Sequence, residues 1–142
     1  MKFCYTASRI RLGEFDIGGV LYHANYFHLY EEAREALLSA IGSPYPAIVA
    51  AGGHLAIAES SQKFLRPVVY GDEIIVEMTV TELRRSSFVF EYTLSRAQVP
   101  DEEIHVATTR HVYVAITDGT MKPGAIPEPL RAGLLQYQAV SQ

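Results

Sequence analysis

The feature of this chain that constrains its fold most is a change in the hydrophobic pattern, from a helical period to a strand period. Between Asn25 and Ile41, apolar residues recur every three or four positions, and Gly42 followed by Pro44 indicates where this helix ends. Beyond it, apolar and polar residues alternate, which is typical of half-buried antiparallel strands. The clearest alternating segments are 73–81, 88–95 and 104–117, and weaker alternation predicts two more strands, at 55–65 and, before the helix, at 3–12. The predicted order is therefore one strand, one long helix and four strands.

The alternation also assigns one face of each strand to the core. The predicted core residues are Ile74, Val76, Met78 and Val80 on 73–81, Phe88, Phe90, Tyr92 and Leu94 on 88–95, and Ile104, Val106, Val112, Val114 and Ile116 on 104–117. Short connections at 66–72, 84–86 and 99–102 predict that the last four strands pair in sequential order as a meander. Prolines beyond residue 121 indicate a loop that leads to a short helix at about 128–136.

One helix cannot cover both faces of a sheet, which limits how these elements pack. We expect an α+β domain spanning residues 1–142, in which a strongly curved antiparallel sheet wraps around the central helix. The uncovered flank then needs a second copy of the chain, so homo-oligomerisation is a structural expectation.

The composition excludes several classes of protein. The chain has 16 acidic and 12 basic side chains, a formal charge of −4, so no general basic surface indicates nucleic-acid binding. The longest weakly polar run, 47–58, contains two glycines and a histidine and is too short to span a bilayer. The first residues lack an apolar signal segment, and a single cysteine, Cys4, fits a reducing compartment. A cytoplasmic location is therefore expected.

The segment between the first strand and the helix carries the strongest chemical signal. Asp16, Gly18 and Gly19 precede His23 and then the start of the helix. Unpaired N–H groups and the helix dipole at that start favour a developing negative charge, as an oxyanion hole does. Asp16 can then attack a bound carbonyl carbon or activate a water that attacks it. The same residues also fit an ordinary Asp-x-Gly-Gly turn beside a boundary histidine, and spacing alone favours that simpler interpretation.

Other side chains give weaker signals. The five histidines lack the spacing of metal ligands, and no glycine-rich nucleotide-phosphate loop occurs, so neither a metal nor a cofactor is expected. Arg84 and Arg85 lie at the turn between two strands. They are either solvated charges that protect a sheet edge or a pair that grips phosphates, and composition does not choose between these.

The loop and the helix start also carry a family signature. Residues 16–26, Asp-Ile-Gly-Gly-Val-Leu-Tyr-His-Ala-Asn-Tyr, lead into Tyr-Glu-Glu-Ala-Arg at 30–34. This stretch closely resembles the signature of hot-dog-fold acyl-CoA thioesterases, most of all their YbgC branch, which is related to the pseudomonad-type 4-hydroxybenzoyl-CoA thioesterases. The similarity continues through Pro67, Gly71–Asp72, 84–89 and 121–123, and so covers nearly the whole chain. The resemblance implies a curved antiparallel sheet of about five strands around one long helix, and hydrolysis of an acyl-CoA to free acid and CoA without a cofactor.

The resemblance further implies a catalytic role for two residues. Asp16 would be the catalytic carboxylate, acting as nucleophile or general base. The backbone N–H of His23 would hold the thioester oxygen, with the His23 imidazole as a helper. Gly18, Gly19 and Tyr22 would complete the loop around this oxyanion site.

Substrate binding and assembly are implied in the same way. Arg84, Arg85 and Ser86 match the turn that meets the CoA phosphates, with Ser86 in place of a third basic residue. Glu14 stands where the family has a second aspartate, and Ile17 stands where smaller residues are usual. Active sites in such proteins lie at subunit interfaces of dimers, which often pair into homotetramers.

Two rivals compete with this assignment. Some hot-dog thioesterases use a carboxylate on the central helix, where this chain has Glu31, although Glu31 also has the spacing of a surface ion-pair partner of Arg34. A chain of this fold can instead bind acyl-CoA or acyl carrier protein without turnover. The acyl group is open between aromatic and short or medium aliphatic groups, and acyl carrier protein is an alternative donor to CoA.

Overall fold

The predicted long helix is the central element of the computed structural model, which describes residues 1–139. It runs as α1 from Tyr26 to Ala40 and is followed by a short helix α2 (Tyr45–Ala50), which the sequence pattern does not predict. The other elements are β1 (Phe3–Ala7), β2 (Gly53–Phe64), β3 (Ile74–Leu83), β4 (Ser87–Arg96), β5 (His105–Thr117), β6 (Thr120–Pro123) and α3 (Glu128–Leu135). Single turns of 3₁₀ helix lie at Leu12–Glu14 and His23–Asn25. The last three residues of the predicted 1–142 domain lie outside the described residues.

α1 packs a wide apolar face into the sheet. Its buried side chains are Tyr26, Leu29, Tyr30, Ala33, Leu37 and Leu38. Gly42 ends the helix as expected, because its φ of 80° lets the Gly42 and Ser43 N–H groups bond back to Ser39 and Leu38. Helical structure resumes in α2, whose first turn accommodates Pro46 because no N–H partner is needed there. Neither α1 nor any other helix within residues 1–139 is long and apolar enough to cross a membrane.

The six strands form one antiparallel sheet in the order β1-β3-β4-β5-β2, with β6 beside β5. The prediction of sequential pairing is right for β3, β4 and β5 but wrong for β2, which lies at the far edge beside β5. The reason is that the chain after β2 makes no hairpin turn. The Val68 carbonyl accepts the Leu21 N–H at 2.8 Å, and Val69 pairs with Val20, so this connection crosses to the loop before α1. Such a crossing is longer than the tight turns that join neighbouring strands.

The inner face of the sheet is apolar on β3 and β4 and mixed on β5. The predicted core residues of β3 and β4 are all buried. The parity predicted for β5 is wrong, since its inward side chains are those of His105, Ala107, Thr109, His111 and Tyr113. Of the predicted set, Ile104 and Val114 are buried, whereas Val106 and Val112 are half-buried and Ile116 is exposed.

The polar side chains of β5 face inward because each finds a partner in the core. The Tyr30 hydroxyl contacts His105 Nδ1. Thr109 Oγ1 lies 3.1 Å from the Tyr92 hydroxyl and 3.1 Å from His111 Nε2. These contacts join α1, β4 and β5 and pair one ring nitrogen of each histidine, whereas His105 Nε2 and His111 Nδ1 have no hydrogen-bond partner in the described chain.

β2 forms a free edge of the sheet. Within residues 1–139 it pairs with β5 and with no other strand. Ile57 and Phe64 on this strand are each 53% exposed, and Leu65, which follows it, is 51% exposed. An unpaired edge that presents apolar side chains is where a second copy of the chain is expected to pack.

We predict that folding stability falls between pH 6.5 and about pH 4, because two histidines are buried without charge. Burial lowers the pKa of His105 from 6.5 to about 4, and burial together with the charge of Arg34 lowers the pKa of His111 to about 3. Above pH 6.5 both rings are neutral in the folded and the unfolded chain, so their contribution to stability is complete. Below it the unfolded chain binds protons first, and stability is lost by about 1.4 kcal/mol per pH unit for each ring. Urea unfolding at several pH values in this range measures the loss.

The variant His105→Gln isolates one of these rings from the carboxylates that also titrate. Glutamine is uncharged and still accepts a hydrogen bond from Tyr30. The free energy of unfolding of this variant should depend less steeply on pH than that of the wild type, by about 1.4 kcal/mol per pH unit. Equal pH dependence in the two proteins would contradict a neutral buried ring at position 105.

Candidate active site

A tight loop precedes the start of α1 and carries the predicted catalytic carboxylate. Phe15 pairs with Leu21 as an antiparallel bridge, so residues 16–20 form the loop at its end. Two hydrogen bonds close this loop: the Asp16 N–H donates to the Val20 carbonyl at 2.9 Å, and the Gly19 N–H donates to the Asp16 carbonyl at 3.0 Å. Gly19 has a φ of 80°, a left-handed conformation that glycine adopts without strain. The ordinary turn that the spacing favours is therefore present.

One of the two oxygens of the Asp16 carboxylate accepts hydrogen bonds from the backbone of this turn. Oδ1 accepts the Gly18 N–H at 2.9 Å and the Val20 N–H at 3.3 Å. Oδ2 takes part in no hydrogen bond within the described chain, and the side chain is exposed in the single subunit. The turn and the catalytic interpretation are thus compatible, because the turn orients the carboxylate and leaves one oxygen available.

The start of α1 offers backbone amides that no side chain caps. The 3₁₀ turn His23–Asn25 leads directly into α1, and neither a capping side chain nor an acidic residue occupies the first turn of the helix. The His23 N–H donates no hydrogen bond to any residue in the described part of the chain. An unpaired N–H at the positive end of a helix dipole can stabilise a negatively charged oxygen.

Glu14 connects the loop to the helix start. Its carbonyl oxygen accepts the Tyr22 N–H at 3.1 Å and the Asn25 side-chain amide at 2.8 Å. Its carboxylate, 13% exposed, lies 2.9 Å from His28 Nδ1 and 3.3 Å from Arg11 Nη2. These contacts fix the position of the loop relative to α1. The sequence analysis does not predict Asn25 and His28 as residues that hold the loop. Their position in the first turn of the helix is the signal that could identify them.

A groove of about 250 Å³ opens beside the helix start. Its lining consists of Val20, Leu21, His23, Tyr26 and residues 64–67. Tyr22, another predicted loop residue, is 46% exposed, and its ring centre lies 4.3 Å from that of His23. The lining is mostly apolar, so the groove can hold an apolar group next to the amides of the helix start.

The predicted CoA-binding residues lie at the turn between β3 and β4. No hydrogen bond or ion pair within residues 1–139 joins this turn to the Asp16 loop. Arg84 is paired, with its Nη2 2.9 Å from Glu82 Oε1. Arg85 has no carboxylate partner in the described chain, and its guanidinium lies 3.5 Å from Ser86 Oγ. Arg131 supports the turn by donating to the Arg84 and Arg85 carbonyls, and Arg85 is thus the charge of this turn best placed to meet an anion.

Glu31, the alternative catalytic residue, lies farther along α1 and lines a second cavity of about 280 Å³ together with Arg34. The expected Glu31–Arg34 ion pair is absent from the described chain. Arg34 is half-buried and lies beside Tyr92 and His111, where its charge opposes the raised pKa of Tyr92 and lowers the pKa of His111. The Arg34 charge therefore lies close to polar groups of the core, where Arg34 also lines the second cavity.

The five histidines are dispersed over the structure. His105 and His111 are buried in the core, His54 is half-buried on β2, and His23 and His28 lie at the start of α1. Within residues 1–139, no group of three or more His, Cys, Asp or Glu side chains is arranged to hold a metal ion.

Known proteins share both the sequence pattern and the fold. The thioesterase-like superfamily matches residues 10–134. The 1,4-dihydroxy-2-naphthoyl-CoA hydrolase of Synechococcus elongatus is 30% identical over 124 residues, which cover 86% of this chain and 88% of that protein. The acyl-CoA thioester hydrolase YbgC of Escherichia coli is 26% identical over 128 residues, 90% of this chain and 92% of that protein. A solved 1,4-dihydroxy-2-naphthoyl-CoA thioesterase from Synechocystis has a TM-score of 0.83 at 26% identity, and covers 95% of this chain and 96% of its own.

The curled antiparallel sheet around α1 is that of the hot-dog thioesterases. The chain belongs to the thioesterase-like superfamily and is a thioester hydrolase. The resemblance to the YbgC branch is confirmed, and so is the fold of about five strands around one long helix, to which β6 adds a short sixth strand.

We predict that Gly19→Ala destabilises the protein, because alanine is strained at a φ of 80°. The expected loss is about 1 kcal/mol in the free energy of unfolding, measured by urea denaturation.

Gly13→Ala is the matched control in the same segment. Its added Cβ meets no atom within 4 Å, and its φ lies outside the left-handed region. The stability of this variant should stay within about 0.5 kcal/mol of the wild type. If both variants lose the same stability, the loop does not depend on the conformation of Gly19.

Proposed function

We propose that the chain hydrolyses acyl-CoA thioesters to a free acid and CoA at the Asp16 loop. The observation that carries this proposal is the combination of Asp16, which has one oxygen unengaged in the described chain, with the uncapped helix start at His23. The relatives support a CoA thioester as substrate, since the Synechococcus and Escherichia coli proteins are both named for hydrolysis of CoA thioesters.

In the proposed reaction, the His23 N–H donates to the carbonyl oxygen of the thioester and stabilises the negative charge that develops there. Asp16 then acts in one of two ways. As a nucleophile, its Oδ2 attacks the carbonyl carbon, CoA leaves as the thiolate, and water hydrolyses the resulting anhydride. As a general base, it takes a proton from a water that attacks the carbonyl carbon, and CoA leaves as the thiolate. A thioester suits this machinery because its carbonyl has weak resonance stabilisation and its thiolate is a good leaving group.

The CoA phosphates are proposed to bind at Arg85, with Arg84 and Ser86 beside it. A polyanion that approaches a chain of formal charge −4 needs a local positive site. Arg85 fits this role because it has no carboxylate partner in the described chain, whereas Arg84 is paired with Glu82. Acyl carrier protein is the alternative donor of the acyl group.

The active unit is proposed to be a dimer joined through the free edge of β2. Antiparallel pairing of β2 with a second copy would continue the sheet and cover the exposed side chains of Ile57 and Phe64. It would also bring the second copy to the groove beside His23, since Phe64 lines that groove. The association of two dimers into a tetramer and the cytoplasmic location stay predictions.

The two rival functions differ in what supports them. A mechanism centred on Glu31 has the support of a cavity, because Glu31 lines the second cavity with Arg34. A non-catalytic acyl-CoA-binding role has less support, because the relatives are named as hydrolases.

We predict that Asp16→Asn lowers kcat by about 10²- to 10⁴-fold, because an amide neither attacks the carbonyl carbon nor accepts a proton from water. Asparagine keeps an oxygen that can accept the Gly18 and Val20 N–H groups, so folding should be unchanged. Release of CoA thiol from benzoyl-CoA and a medium-chain acyl-CoA measures turnover, and thermal melting checks the fold.

Glu31→Gln is the comparison variant in the same assay. A large loss in Glu31→Gln with little loss in Asp16→Asn would favour the Glu31 mechanism. No thiol release by the wild type from a broad panel of acyl-CoAs would favour the binding protein.

We predict that Arg85→Ala raises KM for acyl-CoA more than Arg84→Ala does, because only the Arg85 charge is unpaired in the described chain. Loss of one charge-assisted contact corresponds to a rise of about tenfold at low salt. An acyl-pantetheine, which lacks the phosphates, serves as the control substrate, and its KM should be the same in both variants and the wild type. An equal rise for both substrates would argue against a phosphate contact.

A further inference from the structure

The Asp16 loop is joined to the connection between β2 and β3. The Leu21 N–H donates to the Val68 carbonyl at 2.8 Å, and Val20 pairs with Val69 as an antiparallel bridge. Val20 also holds the carboxylate, because its N–H donates to Asp16 Oδ1 at 3.3 Å and its carbonyl accepts the Asp16 N–H at 2.9 Å. The position of the carboxylate therefore depends on where this connection lies.

An ion pair holds the connection on both sides of Val68. The Arg96 side chain, at the end of β4, donates through Nε to Asp72 Oδ2 at 3.1 Å and through Nη2 to the Pro67 carbonyl at 2.6 Å. Asp72 Oδ2 also accepts the Val69 N–H at 2.9 Å, and the Asp72 N–H donates to the Val69 carbonyl at 3.1 Å. The reaction steps described above use neither side chain of this pair.

The pair is only partly open to solvent and is attached to the core of the sheet. The side chains of Arg96 and Asp72 are 25% and 13% exposed. Arg96 lies opposite Ile74 on the neighbouring strand, and both Ile74 and Leu94 are fully buried in the core. Partly buried charges are screened less than surface charges, and the planar guanidinium fixes the direction of both its hydrogen bonds. The pair therefore fixes the connection relative to β3 and β4.

The connection lies between this ion pair and the helix start. Tyr26, the first residue of α1, is buried. Burial raises the pKa of its hydroxyl, whereas a hydrogen bond with the Val68 backbone and the charge of Arg96 lower it. The helix start has further support from Tyr30, which is buried in the core. A change in the connection should therefore displace the Asp16 loop more than the helix start.

We propose that Arg96 and Asp72 are positioning residues for the hydrolysis, an inference that rests on the proposed function of Asp16. No hydrogen bond or ion pair in the described chain joins either side chain to the Asp16 loop, so both act through the backbone of the connection. Their contacts keep Val20 in place, which directs one carboxylate oxygen into the turn and leaves Oδ2 to the thioester. A misplaced catalytic group loses rate without a matching loss of substrate binding, so the expected signature is a fall in kcat at nearly constant KM.

Amide hydrogen exchange tests this link without any turnover. In Arg96→Met, the amides of residues 16–22 should exchange about tenfold faster than in the wild type, because the connection that holds them is loosened. Amides of residues 30–40 in α1 should exchange at the wild-type rate, since the core that holds them is unchanged. Unchanged exchange in residues 16–22 would overturn the proposal.

The kinetics of the same variant test the catalytic consequence. Arg96→Met should lower kcat by about tenfold and change KM by less than about twofold. In the Asp16→Asn background, Arg96→Met should cause no further fall in kcat, because no catalytic carboxylate remains to be positioned. A merely structural defect would lower the residual turnover as well. An equal fall in both backgrounds, or a rise in KM at constant kcat, would therefore overturn the proposal.

Arg110→Met is the matched control. The Arg110 side chain is also 25% exposed and is paired with a carboxylate, that of Glu82. No hydrogen bond or ion pair in the described chain joins Arg110 to the connection or to the Asp16 loop. The kcat of this variant and the exchange of its residues 16–22 should equal those of the wild type. The same changes in both variants would mean that the loop responds to the loss of any ion pair, which contradicts the proposal.

Arg96→Lys keeps the test decisive if thermal melting shows that Arg96→Met does not fold. Lysine retains the positive charge but lacks the planar fork that reaches Asp72 and Pro67 together, so residues 16–22 should still exchange faster than in the wild type. Exchange at the wild-type rate in Arg96→Lys would then overturn the proposal. No turnover of any thioester by the wild type contradicts the proposed function, and the exchange comparison then decides whether the ion pair holds the loop.

Discussion

The packing of α1 against the inner face of the sheet is the interaction on which the rest of the structure depends. Tyr30 and Leu37 are at most 1% exposed there, and each such side chain contributes about 1.5–3 kcal/mol when it leaves water. Hydrogen bonds between Tyr30 and His105 and between Tyr92 and Thr109 add polar contacts inside the same packing, and these require one relative placement of α1, β4 and β5. The first turn of the helix therefore has a fixed place, and the geometry proposed for catalysis follows from the core.

Local hydrophobic spacing is sufficient to predict α1, β3 and β4, because the buried face of each element consists of hydrophobic side chains. The same spacing fails on β5, where His105, Thr109 and His111 face inward and only their partners on other elements explain the choice. It also fails on the position of β2. Strand order depends on pairings between segments distant in sequence, here β2 with β5. The connection after β2 crosses to the start of the helix, but its length in the sequence is that of a turn between neighbouring strands.

At the candidate site, the sequence identifies what is contiguous and overlooks what the fold brings together. Asp16 and His23 can be proposed from the sequence because the loop and the helix start lie close together along the chain. The contact of Glu14 with His28 and the position of Arg34 beside Tyr92 and His111 join groups that no spacing rule connects. Arg34 in particular has the helical spacing of a surface ion pair, yet it is half-buried beside polar groups of the core.

The free edge of β2 links the proposed assembly to the proposed chemistry. The Asp16 carboxylate is exposed in one subunit, and the groove beside His23 is bounded on one side by the same strand whose outer edge is unpaired in the described chain. Electrostatic stabilisation of a developing oxyanion is stronger where water is excluded. In a groove that stays open to solvent, the amides of the helix start would therefore stabilise the oxyanion less. A second copy on β2 would close the groove. Dissociation of the proposed dimer would then abolish turnover even though α1 and its core remain folded.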